Sequence, residues 1–182
     1  MTTAITTARP RNSAARCDHT SACDPLSKLR AALDDLGMKE KKGPAAFAAF
    51  ERELHARLME IERDVVAAEM ARLDVDAPAV VIAGKVHRRV LRQAQTYLTT
   101  AGEVVVERTL YKDRTDAAGR CVSPMELTIG VVGDFWTPRA AQQALWVVTQ
   151  MTPGKAAELF ARVGGMTPSK TSLDQLPKRV AA

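Results

Sequence analysis

A chain of 182 residues that is 46% apolar can fill one ordinary domain or two small ones, and with only 4% aromatics its core must be built from Ala, Leu and Val, which suits helices. The formal net charge of +5 and a pI near 9.3 favour an anionic partner. Three cysteines (Cys17, Cys23 and Cys121) are an odd count that makes no disulfide framework and fits the cytoplasm, and no apolar run approaches the ~20 residues that span a bilayer, so no membrane role is expected.

Residues 1–25 are rich in Thr, Ala, Ser and Arg without an apolar period and read as a disordered tail. Free of acids before Asp18, the tail also imitates a transit peptide, and an over-long start with Met38 as the true initiator would look the same. Cys17, His19 and Cys23 lie close together but lack a second pair of ligands at zinc spacing, so no metal site is expected there. A helical region is expected over 26–76. Leu26, Leu29, Leu33 and Leu36 repeat at helical spacing, closed by Gly37. After Gly43-Pro44 a long amphipathic helix is predicted to about Leu73, with Phe47, Phe50, Leu54, Leu58, Ile61, Val65 and Ala68 on one stripe. The near-heptad seam allows either the chain's own domain or a second copy as partner.

From Asp74-Val75-Asp76-Ala77-Pro78 onward the character changes, and residues 77–123 read as an antiparallel meander. Strands are predicted over 79–82, 86–98 and 104–112, with turns at Ala83-Gly84-Lys85 and Ala101-Gly102-Glu103, a polar loop ending at Gly119, and a last short run through Cys121 and Val122. Alternation in Val104, Val106, Arg108 and Leu110 puts an apolar face on the helices and leaves the other to solvent or DNA. His87, Arg88, Arg89 and Arg92 cluster on the second strand as a solvated face or a DNA-backbone contact.

Residues 124–182 carry one punctuation mark three times. Thr137-Pro138, Thr152-Pro153 and Thr167-Pro168 are evenly spaced, and each pairs an N-cap hydroxyl with a proline whose missing donor costs nothing in the first turn. Three short helices follow, with apolar faces Ala141, Leu145 and Val148, then Ala156, Leu159, Phe160 and Val163, then Leu173 and Leu176; Gly164-Gly165 ends the second. These are the parts of a helix-turn-helix-like unit. The last helix opens on Ser169, Lys170, Thr171 and Ser172, small polar or basic side chains suited to base edges, and Lys155, Lys178 and Arg179 add phosphate attraction. Pro177 is expected to break this helix after about two turns.

Catalytic signatures are lacking. The chain has no phosphate-binding Gly-Lys loop, no Gly-x-Gly-x-x-Gly after a strand, no His-Glu-x-x-His and no Gly-x-Ser-x-Gly. The expectation from the residues is no catalytic residue, no cofactor and no bound metal.

Four blocks carry a resemblance: Glu107-Arg108-Thr109-Leu110-Tyr111, Ser123-Pro124-Met125-Glu126-Leu127, Phe135-Trp136-Thr137-Pro138-Arg139-Ala140-Ala141, and Met166 through Lys178. Together they are similar to the amino-terminal region of bacterial insertion-sequence transposases of the ISKra type, over about residues 47–178. The resemblance implies a DNA-binding protein whose partner is double-stranded DNA at the element's terminal inverted repeats. It also implies a carboxylate domain holding two divalent metals that in this family follows the region seen here, so the chain is expected to be an amino-terminal piece without catalysis of its own. The sequence reading is thus an α+β chain, made of a long amphipathic helix, a small antiparallel meander and a three-helix unit, that binds DNA in the cytoplasm. The competing reading is a helical oligomerisation module, a homo-oligomer with no DNA role.

Overall fold

The computed structural model describes residues 5–6, 24–38, 42–113, 115 and 119–181. The rest of the expected tail, with Cys17, His19 and Cys23, lies outside the described residues, as does most of the polar loop before Gly119. The chain is α+β. Its elements are β1 (Ile5–Thr6), α1 (Pro25–Met38), α2 (Pro44–Leu73), β2 (Ala79–Ile82), β3 (Lys85–Thr99), β4 (Gly102–Asp113), α3 (Pro124–Ile129), α4 (Pro138–Gln150), α5 (Pro153–Val163) and α6 (Lys170–Val180).

Asp24 starts α1 by accepting from the Leu26 amide and the Ser27 hydroxyl. Helix α1 then runs antiparallel along α2, as two ion pairs show: Lys28 meets Asp64, and Arg57 meets Asp35 at 2.5 Å. Gly37 does not end α1, which continues to Met38, a difference within the ordinary fraying of helix ends. Helix α2 starts after Gly43, whose φ of 91° needs glycine, and ends on Asp74, whose carboxylate accepts from the Thr109 amide at 3.0 Å and the Thr109 hydroxyl at 2.8 Å.

The stripe expected to be the core face of α2 is covered only in part, with Phe50, Leu54 and Ile61 half-buried. Phe47 is 50% and Val65 45% exposed, while Val66, Ala67, Met70 and Leu73 pack on Tyr97, Val104, Val106 and Met125. A seven-residue repeat drifts by about 20° per heptad on a straight α-helix. Moreover, α2 serves two partners, α1 along its middle from Arg57 to Asp64 and the sheet toward its C-terminal end, and no single straight stripe faces both.

The strands stand in the order β1-β2-β3-β4, all antiparallel. Ala83 and Gly84, with φ of 49° and 77°, make the two-residue hairpin between β2 and β3. Positive φ at both central residues matches the right-handed twist of the flanking strands. A bulge at Val90 lies between Arg89 and Leu91. Among the described residues helices cover β4 and the end of β3, so from Lys85 to Thr96 strand β3 shows both faces instead of one. The run through Cys121 and Val122 is a single bridge, Val122 to Tyr111, in place of a strand.

Helix α3 was not expected, although Ser123-Pro124 repeats the hydroxyl-proline start; at six residues it is too short to show a period. Beyond it, Leu98 donates to the Phe135 carbonyl at 2.7 Å and accepts from the Thr137 amide at 3.0 Å, fastening the sheet to the C-terminal helices. Trp136, fully buried, anchors their core with Ala140, Ala144, Phe160, Met166, Leu173 and Leu176. Val163, expected in this core, is 68% exposed at the end of α5.

Two expectations about α6 fail. Its N-cap is Ser169, whose Oγ accepts from the Ser172 amide, so Thr167-Pro168 precedes the helix and does not begin it. Pro177 lies inside α6, which continues to Val180: Leu173 and Leu176, both buried, hold the turn before it, and Arg179 is tied to Asp134 in the turn after it. Nor do the threonines at the other two starts cap in the expected way. Thr137 and Thr152 occupy the N-cap positions without a side-chain cap bond, and the Thr137 hydroxyl donates to Leu98 O instead.

Candidate nucleic-acid interface

The corner between α5 and α6, residues 164–169, is placed by close backbone approach. A Cβ built on Gly165 (φ +83°) would lie 2.6 Å from Thr100 O, in the turn between β3 and β4. Helix α2 grips the same turn: Arg63 donates to Ala101 O at 2.9 Å, and the Thr100 hydroxyl donates to Glu62 at 3.1 Å. The first turn of α6 is therefore set against the sheet.

There Ser169, Thr171 and Ser172 line a cleft of about 370 Å³ with Thr96, Leu98, Glu103 and Phe135. The serine hydroxyls are engaged within the turn, Ser172 Oγ donating to Ser169 O at 2.9 Å. Glu103 puts a carboxylate in the cleft, so a phosphate would be held outside it, where Lys170 is exposed; Thr171 lines the cleft and is exposed as well. Lys155 is exposed in the first turn of α5. Lys178 faces Asp174 at 3.4 Å, a solvent-exposed i,i+4 pair that is easily given up. Arg179 is more constrained, because it bonds Asp134 at 2.6 Å and packs against Gly133. The structure thus brings Ser169, Lys170, Thr171 and Ser172 together. Lys178 stands about 12 Å further along the helix axis, by the 1.5 Å rise per residue.

The basic cluster on β3 is partly offset. Arg89 meets Asp76 at 2.6 Å, Arg92 meets Glu107 at 3.4 Å, and Lys85 faces Asp113 at 3.8 Å; Arg88 is exposed. Hydrogen bonds from the Thr115 amide and hydroxyl hold the Asp113 carboxyl below its usual range.

Two groups escaped the sequence reading. The first lies between sheet and α3, where Arg108 meets Glu126, Tyr97 donates to the same carboxylate at 2.7 Å, and Arg108 also donates to Gln95 at 3.1 Å. Burial, then the hydrogen bond to Glu126, pushes the Tyr97 hydroxyl well above its ordinary range. Two of the four sequence blocks meet here, so their charges serve the fold. The second group is the outer face of α4, where Arg139, Gln142, Gln143 and Trp146 recur at helical spacing opposite the buried alanines. That recurrence was readable once Ala140, Ala141 and Ala144 are taken as the inner face.

Among the described residues no three His, Cys, Asp or Glu side chains are grouped to hold a metal, and no helix is long and apolar enough to cross a membrane. Comparison with known protein families, curated proteins and solved structures gives no match.

Proposed function

We propose that this chain binds double-stranded DNA through its C-terminal helices, as the DNA-recognition and assembly part of an insertion-sequence transposase of the ISKra type. Terminal inverted repeats are the duplex it would recognise, and the metal-dependent chemistry would belong to a carboxylate domain outside these residues. What supports the reading is the first turn of α6. Lys170 and Thr171 are exposed there beside a buried Leu173, so the turn is held down on one side and presented on the other. With α5 and the glycine corner it would act as a helix-turn-helix-like unit, although residues 164–169 make a longer connection than the usual ~3–4-residue turn. The test is fluorescence anisotropy with repeat-end and scrambled duplexes over a salt series. Lys170→Glu should weaken binding more than tenfold, about 1.4 kcal/mol or more at moderate salt. Thr171→Ala should weaken repeat-end binding alone. Equal, weak binding of both duplexes that Lys170→Glu leaves unchanged would refute the reading.

A second reading is favoured by the exposed part of the α2 stripe, where Phe47, Leu58 and Val65 stand eleven and seven residues apart on one side of the helix. Such a seam suits a second copy of the chain. Light scattering on the purified protein tests it: a monomer at high micromolar concentration would exclude it. A dimer that splits on Leu58→Glu yet binds no DNA would favour the oligomerisation module over the DNA reading.

A further inference from the structure

We propose that the outer face of α4 is a stacking site for an unpaired base of single-stranded DNA. The proposal rests on the DNA-binding reading and moves beyond it to a second contact with a different form of the ligand. Trp146 is 68% exposed, whereas the chain's other tryptophan, Trp136, is fully buried. Beside Trp146, between α4 and α5, lies a cup of about 410 Å³ whose walls include the buried side chains of Val147 and Phe160 and whose polar members are Arg139, Gln142 and Gln143.

The chemistry of this lining selects the occupant. The indole supplies a π-face, on which any base stacks. Gln143 offers a donor and an acceptor on one amide, the pattern that matches the edge of a base, and Gln142 adds its amide donors. Arg139, oriented by a 3.1 Å hydrogen bond from its guanidinium to Gln142 Oε1, supplies the cation for the adjoining phosphate. Among the described residues no carboxylate lines the cup, and α4 contains none, so no lining group repels a phosphodiester. An apolar peptide would cover the ring but leave the Gln143 amide and the remaining guanidinium donors of Arg139 without partners, which is costly. A duplex would offer only base edges, because its π-faces are occupied by stacking; the ring of Trp146 therefore calls for a base out of the helix.

The two tryptophans make the test direct, because quenching by acrylamide reports Trp146 and spares Trp136. The full chain is titrated with a ~20-nucleotide oligo(dT) and, separately, with a mixed-sequence blunt duplex. Single strand should quench the exposed emission. Trp146→Ala should weaken single-strand binding about tenfold, and Trp146→Phe should retain most of it. Arg139→Ala should lower the single-strand salt slope by about 0.7. Duplex affinity of Trp146→Ala should stay within about twofold of wild type, and an unchanged far-ultraviolet dichroism spectrum shows that the variant folds. Normal duplex binding with no response to oligo(dT) overturns this inference alone, whereas failure of both ligands overturns the DNA-binding reading with it. Single-strand binding unaffected by Trp146→Ala, or an apolar dye bound in the cup with no competition from oligonucleotide, also overturns the inference, the latter in favour of a protein partner.

Discussion

Gly165→Ala should be among the most damaging single-methyl additions in this chain. Gly165 holds φ at +83°, where an L side chain costs roughly 1–2 kcal/mol. Its new Cβ would also stand 2.6 Å from Thr100 O, and because both partners are backbone, no side chain can swing aside. Relief requires the α5–α6 corner to lift from the β3–β4 turn, an overpacking cost of about 1–3 kcal/mol. The sum, roughly 2–5 kcal/mol, is a large part of the ~5–15 kcal/mol that holds a typical domain folded. In a thermal melt it should lower Tm by roughly 4–20 °C for a chain of this size. Two controls separate the terms. Gly84→Ala meets the same sign of φ, +77°, with open space around its Cβ, and should lose the backbone term only. Gly154→Ala, inside α5 with nothing within 4 Å of its Cβ, should be neutral or stabilising by up to about 1 kcal/mol. If Gly165→Ala is no worse than Gly84→Ala in urea and heat, the corner does not rest on the turn, and the placement of α6 against the sheet is wrong.

Ala83→Asn should stabilise the β2–β3 hairpin by about 0.5–1 kcal/mol, read as a higher urea midpoint, because Ala83 sits at φ 49° where asparagine is at home; a lower midpoint would refute the turn assignment. Met70→Ala should cost about 2–5 kcal/mol while Val65→Ala changes chemical stability by less than about 0.5, so equal losses at the two positions would restore the stripe as the core face. Tyr97 and Tyr111 are the only tyrosines, and burial raises both above the ordinary phenol value. Unfolded tyrosine loses its proton near pH 10 and the folded residues hold theirs, so this contribution is complete below about pH 10 and is lost as pH rises further. Tyrosinate absorbance at alkaline pH should accordingly appear together with the loss of the far-ultraviolet dichroism signal, and a reversible titration at ordinary pKa in folded protein would contradict the burial.

The strands were legible because β-branched runs and glycine turns are local signals; Ala79–Ile82 falls on the expected residues. The three C-terminal helices were legible for the same reason, since a hydroxyl followed by proline fixes a start within two residues. What the sequence could not reveal is which of two neighbouring faces of α2 is used. Val65 and Val66 are equally apolar, and only the meeting with Val104 and Val106 decides between them. Pro177 shows the same limit in reverse, because the local penalty is real and long-range burial of Leu173 and Leu176 outweighs it. For the candidate interface, residue type marked Ser169 to Ser172 correctly as a helix start, but the nearby Glu103 comes from a strand distant in sequence.

The Arg108–Glu126 contact bears on how such a chain can change over generations. The guanidinium divides its donors between Glu126 and Gln95, a fork that lysine cannot reproduce, and Glu126 must in addition accept from Tyr97. Drift at one of these positions strands a part-buried charge at the other, so homologues should substitute 108 and 126 in concert or not at all. Lys170 and Arg139 carry no such debt to the interior and can follow whatever sequence the ligand presents. Aligned relatives would then fall into two classes of position: a fixed pair recording the architecture, and variable ones recording the target.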